Sequence, residues 1–84
     1  MAELGEELRR ERVRRNLTFK DVEQVLHIKT TYLEAIEDGN YDIIPGQVYV
    51  KGFIRNYGNY LDLDGDRLVK VYQGQVCLLY TSPS

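Results

Sequence analysis

Little in this sequence supports covalent or metal chemistry. A single cysteine (Cys77) and a single histidine (His27) in 84 residues leave no pair for an intramolecular disulfide, no ligand set for a four-coordinate zinc and no spaced Cys-His dyad. Hydrophobic runs are short as well, and none approaches the roughly 18 apolar residues of a membrane span. The Glu- and Arg-rich start lacks the apolar stretch of a signal peptide, so the expectation is a soluble, cytoplasmic chain. Nor is charge of one sign in excess: Lys and Arg number 11, Asp and Glu 13, for a formal net charge of -2. That excludes a surface forming one continuous phosphate-binding field, while a local basic patch is still allowed. The length admits one domain with one modest core and no elaborate catalytic cavity.

What is present in quantity is helical pattern. From Glu3 to Arg15 strong helix formers predominate, Leu4 and Leu8 lie one turn apart, and Glu precedes Arg at helical spacing in Glu6/Arg10 and Glu11/Arg15. The five arginines of this stretch are interleaved with Glu3, Glu6, Glu7 and Glu11, which predicts a solvated, salt-bridged face rather than a nucleic-acid patch. Asn16 suits the left-handed conformation of a C-terminal cap. Thr18 with Asp21 makes a capping arrangement that opens a second helix through about Leu26, with Val22, Val25 and Leu26 as its inner face. After a turn at His27 to Lys29, a third helix from about Thr30 to Asp38 carries Tyr32, Leu33 and Ile36 at helical spacing, and Gly39 stops it. Two short helices around a tight turn form a helix-turn-helix pattern.

Asn40 to Gly46 reads as a loop held by Tyr41, Ile43 and Ile44, with Pro45-Gly46 as a turn signal. A fourth and longest helix spans about Gln47 to Leu61; "QVYVKGF" alternates locally like a strand, but the flanking period is helical. Asp64 is placed to cap a fifth helix that runs through about Tyr72 and buries Leu68, Val71 and Tyr72. The expected fold class is all-α, one compact five-helix domain over residues 1–73. "CLLYTSPS", Cys77 to Ser84, breaks the preceding periodicity, carries no charge and resembles read-through of a sequencing adaptor. Residues 74–84 are therefore expected to be a disordered tail.

Enzyme readings lack parts, so no catalytic residue and no cofactor is expected. The carboxylates Glu37 and Asp38, and Asp62, Asp64 and Asp66, are accounted for by caps and solvated turns. "DLDGD" hints at a calcium loop but lacks the remaining ligand spacing and the closing Glu. His27 in its turn has neither nucleophile nor metal partners. A helix-turn-helix invites a DNA reading in which Lys29, Thr30 and Thr31 begin the recognition helix. Glu34, Glu37 and Asp38 then face outward, however, and from Lys20 to Asp42 two basic residues meet six acidic ones. That surface repels a phosphate backbone, which makes nucleic acid an unlikely partner.

The fourth helix differs. Counted at about 100° per residue from Tyr49, Tyr60, Phe53 and Tyr57 fall near 20°, 40° and 80°, and Val50, Leu61 and Ile54 follow out to about 140°. Lys51, Asn59 and Arg55 lie roughly opposite. The apolar arc is thus aliphatic on one side and aromatic on the other. Either the aromatics complete the core of a small domain, or the edge formed by Tyr49, Phe53 and Tyr60 faces a partner, for which tyrosines beside a cation are suited. Gly52 and Gly58 each weaken a helix by up to about 1 kcal/mol relative to Ala, which implies close approach by another backbone; Gly52 lies beside the aromatic edge.

Two stretches, "IKTTYLEAIEDGNYD" and "PGQVYVKGFIRNY", carry a resemblance. From Leu4 to about Tyr72 the sequence resembles the N-terminal cytoplasmic domain of the RodZ family of bacterial cell-shape proteins. The resemblance implies a five-helix, lambda-repressor-like domain whose helix-turn-helix has turned from DNA to protein. It also implies binding to the actin-like filament protein MreB, and a membrane span further along that fixes the filament to the inner face of the membrane. The family's contact falls on the fourth helix, here on Tyr49 and Phe53, with Lys51 and Tyr57 nearby. Glu23 stands where DNA-binding relatives carry a small residue between the two helices. The partner-binding residues expected are therefore Tyr49, Lys51, Gly52, Phe53, Tyr57 and Tyr60. The alternatives are a sequence-specific DNA regulator contacting through Lys29, Thr30 and Thr31, and weak self-association.

Overall fold

Each helix starts or stops where a particular residue satisfies or diverts the backbone. The structure, a computed structural model, describes the backbone of residues 3–79 and the side chains of residues 4–74. It contains α1 (Glu3–Arg14), α2 (Phe19–Leu26), α3 (Thr30–Asp38), a 3-10 turn (Tyr41–Ile43), α4 (Gln47–Tyr60) and α5 (Gly65–Leu79), with no strand among the described residues. After α1, Asn16 takes a left-handed φ of 57°. Thr18 then closes a capping box: its hydroxyl accepts from the Asp21 amide at 3.1 Å, and its own amide donates to the Asp21 carboxylate at 3.0 Å. Two free amides at the start of α2 are satisfied together. His27 ends α2 in the left-handed region and Gly39 ends α3 the same way. Asp64 opens α5 by accepting from the Arg67 amide at 3.2 Å.

The core draws on every helix: Leu4 and Leu8 from α1, Val22 from α2, Leu33 and Ile36 from α3, Val50, Ile54 and Tyr57 from α4, and Leu68 and Tyr72 from α5. Withdrawing each such side chain from water contributes about 1.5–3 kcal/mol. Two crossings are closer than an ordinary side chain allows. A Cβ on Gly5 would lie 2.3 Å from the Glu37 carbonyl oxygen, so α1 and α3 meet backbone to backbone. A Cβ on Gly58 would lie 2.6 Å from a Leu68 methyl and 3.2 Å from the Gly65 Cα, which draws α4 against α5.

The all-α, five-helix class agrees with the sequence reading, and some details differ. Val25 is exposed, because Phe19, Val22 and Leu26 share an arc of about 60° and Val25 lies about 60° beyond it. Ile43 is exposed while Ile44 is buried; in a single turn only one of two adjacent residues reaches the core. Glu11 pairs with Arg15 at 3.4 Å, whereas no such pair joins Glu6 to Arg10. The largest difference is at α5. It continues seven residues beyond Tyr72 to Leu79, so residues 74–79 of the expected tail are helical. Nothing in that stretch stops a helix, and the loss of charge does not unmake the backbone ladder. Residues 80–84 of that expectation lie outside the described residues.

Candidate functional site

On α4 the buried positions are Val50, Ile54, Tyr57 and Gly58, an arc from about 80° to 180° on the helical count from Tyr49. The aromatic edge borders this arc. Tyr49 is 60% exposed, while Phe53 and Tyr60 are half-buried and pack against the core with part of each ring left over. Tyr60 continues the stripe about 16 Å along the axis from Tyr49. Lys51 and Gly52 are also half-buried, and, its chain neighbours and own helix backbone aside, no atom of the described residues lies within 4 Å of where a Gly52 Cβ would stand. The close approach expected at Gly52, by another backbone or by a partner, is therefore not made by any of the described residues.

Three rings form a continuous series across two helices. Phe53 stacks on Tyr32 of α3 with centroids 5.7 Å apart and planes inclined 21°. Tyr49 leans on the other side of Phe53 at 6.2 Å and 36°. Beside them Val48 is 79% exposed. The sequence reading uses Tyr32 only as part of the helical spacing of α3 and passes over Val48. Tyr32 follows from its neighbour only once α3 and α4 are known to be adjacent; Val48, an aliphatic residue off the apolar arc, was detectable on the helical count. Exposed aromatic rings braced by other rings present apolar area at small entropic loss, which suits a protein interface.

Tyr57 is not part of that surface. It is 0% exposed, the largest fully buried side chain, and its hydroxyl donates to Glu37. Its expected role in partner contact is corrected accordingly: at about 80° on the helical count it sits inside the buried arc, and its polar tip has an internal acceptor. Glu37 is a second correction. Read as facing outward on α3, it is only 7% exposed. Its carboxylate takes a forked pair of bonds from Arg12 Nε at 2.7 Å and Nη2 at 3.2 Å. The remaining Arg12 nitrogen donates to the Leu17 carbonyl at 2.9 Å, and the guanidinium lies 4.2 Å over the Phe19 ring. Hydrogen bonding to Glu37 raises the Arg12 pKa. Burial first, then the bond to Glu37, raises that of Tyr57 well above the usual range for tyrosine.

The helix-turn-helix face keeps its acidic character. With Glu37 internal, Asp21, Glu23, Glu34, Asp38 and Asp42 still outnumber Lys20 and Lys29. Lys29 and Thr31 are exposed and Thr30 is half-buried at the start of α3, a placement compatible with groove contact but without a basic surround. Among the described residues no three His, Cys, Asp or Glu side chains gather into a metal site. No helix there is long and apolar enough to cross a membrane.

Five helices that include a helix-turn-helix, with an acidic face on that motif and an aromatic series joining α3 to α4, define a helix-turn-helix domain. A family model described as a helix-turn-helix domain matches residues 7–68. Over 60 residues the chain is 38% identical to "Uncharacterized membrane protein YmfM" of Bacillus subtilis, covering 71% of this chain and 21% of that protein. Over 77 residues it is 26% identical to "Cytoskeleton protein RodZ" of Streptococcus pneumoniae, covering 92% of this chain and 28% of that protein. The chain belongs to this helix-turn-helix family, that of the RodZ N-terminal domain. It spans between a fifth and a third of the length of these two relatives. No solved structure matches at a significant level.

Proposed function

We propose that this domain is the cytoplasmic adaptor head of a bacterial cell-shape protein. It docks onto an actin-like MreB filament through the aromatic edge of α4, and the full-length protein links that filament to the inner face of the membrane. The observation that carries the reading is the ring series Tyr32, Phe53 and Tyr49, half-buried at its first two members and exposed at Tyr49 next to Val48, on a domain whose helix-turn-helix face is acidic. Tyr49 and Phe53 are the anchors and Gly52 leaves room for a partner's backbone, while Lys51, about 160° from Phe53 around α4, stands on the far side of the helix. Tyr60 extends the stripe. The kinship with a protein named for the cytoskeleton and with one named as a membrane protein supports the same assignment.

Co-pelleting of the chain with polymerised MreB tests it, alongside Tyr49→Ala and Phe53→Ala variants shown to be folded and with duplex DNA as competitor. The expected result is pelleting that both variants lose and DNA does not affect. Absence of pelleting, together with DNA binding that falls steeply with salt, would replace the adaptor with a transcription regulator working through Lys29, Thr30 and Thr31. A hydrodynamic size that grows with concentration would instead assign the edge to self-association.

A further inference from the structure

One buried set of polar side chains lies behind the docking edge without reaching it. Phe53 and Tyr57 are one turn apart on α4, and their partners Tyr32 and Glu37 lie along α3. The two helices are thus tied twice, outside by a ring stack and inside by a hydrogen bond. These ties differ in kind. Stacked rings tolerate sliding, whereas a hydrogen bond weakens steeply with misalignment. Moving α4 along α3 by one residue, about 1.5 Å, would pull the buried Tyr57 hydroxyl out of line with the Glu37 oxygen that accepts from it. Glu37 is not free to follow, because Arg12 grips both of its oxygens while bound to the Leu17 carbonyl and seated over Phe19. The anchor of the hydroxyl is therefore built from α1, the α1–α2 turn, α2 and α3 together.

We infer that Glu37 and Tyr57 are positioning residues for docking: they fix the register of α4 against the helix-turn-helix and so determine where Phe53 and Tyr49 are presented. This rests on the reading of α4 as the docking surface. Apolar side chains of similar volume would hold the helices together equally well. What the hydrogen bond adds is a single register.

Tyr57→Phe removes one oxygen and keeps the ring, and Glu37→Gln keeps an acceptor while removing the charge. For each variant, ring-proton NMR shifts of Tyr32, Tyr49 and Phe53 are recorded in the free domain at a temperature where circular dichroism shows full folding. Filament affinity is then measured under the same conditions. The expected result is displaced ring signals of Phe53 and Tyr32 in both variants, with docking weakened by about two- to tenfold in Tyr57→Phe. Ring signals identical to those of the unmodified domain would overturn the inference. So would displaced rings with undiminished docking while Phe53→Ala abolishes it. If the unmodified domain fails to pellet, the docking reading falls by itself, and the ring signals still decide whether the bond sets the register.

Discussion

The two flanks of α4 carry similar residues in opposite circumstances. On the inner flank, Tyr57 is sealed in the core with its hydroxyl bonded to Glu37, and Gly58 lies under Leu68 and Gly65. On the outer flank, Tyr49 is exposed and Gly52 faces open space. One tyrosine and one glycine on each side therefore serve different ends: inside, the ring fills volume and the missing Cβ admits a helix of the same chain. Outside, Tyr49 only leans on Phe53, and the space at Gly52 is left unfilled by the described residues. The outer flank, little used by the fold, is the one on which the docking proposal rests.

Truncation separates the flanks most sharply. Tyr57→Ala should lower unfolding free energy by about 3–5 kcal/mol, against a total of about 5–15 kcal/mol for a domain of this kind. Tyr49→Ala should stay within about 0.5 kcal/mol in the same urea titration. Equal losses would make the outer ring part of the core and remove the docking surface. In filament binding the order inverts, with Tyr49→Ala weakening a docked complex by about 1–3 kcal/mol. The glycines give a smaller contrast of opposite sign. Gly58→Ala should destabilise by about 1–3 kcal/mol through overpacking against α5, whereas Gly52→Ala should stabilise by up to about 1 kcal/mol. If Gly52→Ala also weakens filament binding, the open space is reserved for the partner.

The smallest effect concerns pH. Burial, with a contribution from Tyr72, raises the Tyr41 pKa from 10.0 to about 12, and burial acts on Tyr57 in the same direction. A folded-state pKa above the unfolded value gives stability that is complete below pH 10 and lost as pH climbs toward 12. Denaturation followed across that window should show the decline, and Tyr41→Phe should make it shallower while leaving the part due to Tyr57. The Tyr41 hydroxyl is buried with no hydrogen-bond partner among the described residues, so the same variant should be neutral or slightly stabilising at pH 7.

Features fixed within three or four residues were legible in the sequence. The Thr18–Asp21 box, the Asn16 and Gly39 ends and the Asp64 cap are each local in this sense, as is the mixed arc of α4. What escaped depends on distance along the chain. Glu37 looked like one more outward acid because Arg12, its partner, is 25 positions away and Tyr57 is 20. A clue existed: Glu37 falls only about 40° from Leu33 on the helical count, inside the stripe rather than opposite it. A tyrosine in the middle of an aliphatic arc also calls for a hydrogen-bond partner, and Glu37 answers Tyr57. The spacing of Tyr32 marks only a helix; its part in a ring series becomes visible only when Phe53 is laid against it. The end of α5 was misplaced because loss of periodicity is not a stop signal.

Gly46 precedes α4 at a φ of 95° and offers no side chain to cap it. The free amides of the first turn, which bears Val48 and Tyr49, therefore lack the acceptor that Thr18 supplies to α2 and Asp64 to α5. Amide hydrogens there should exchange through local opening at a fraction of the free energy that global unfolding requires. A partner gripping Tyr49 must also quiet that turn, at about 1–2 kcal/mol for each residue immobilised. Under the proposed docking, whatever stiffens this turn in advance would lengthen the lifetime of the complex while leaving the rate of encounter almost unchanged.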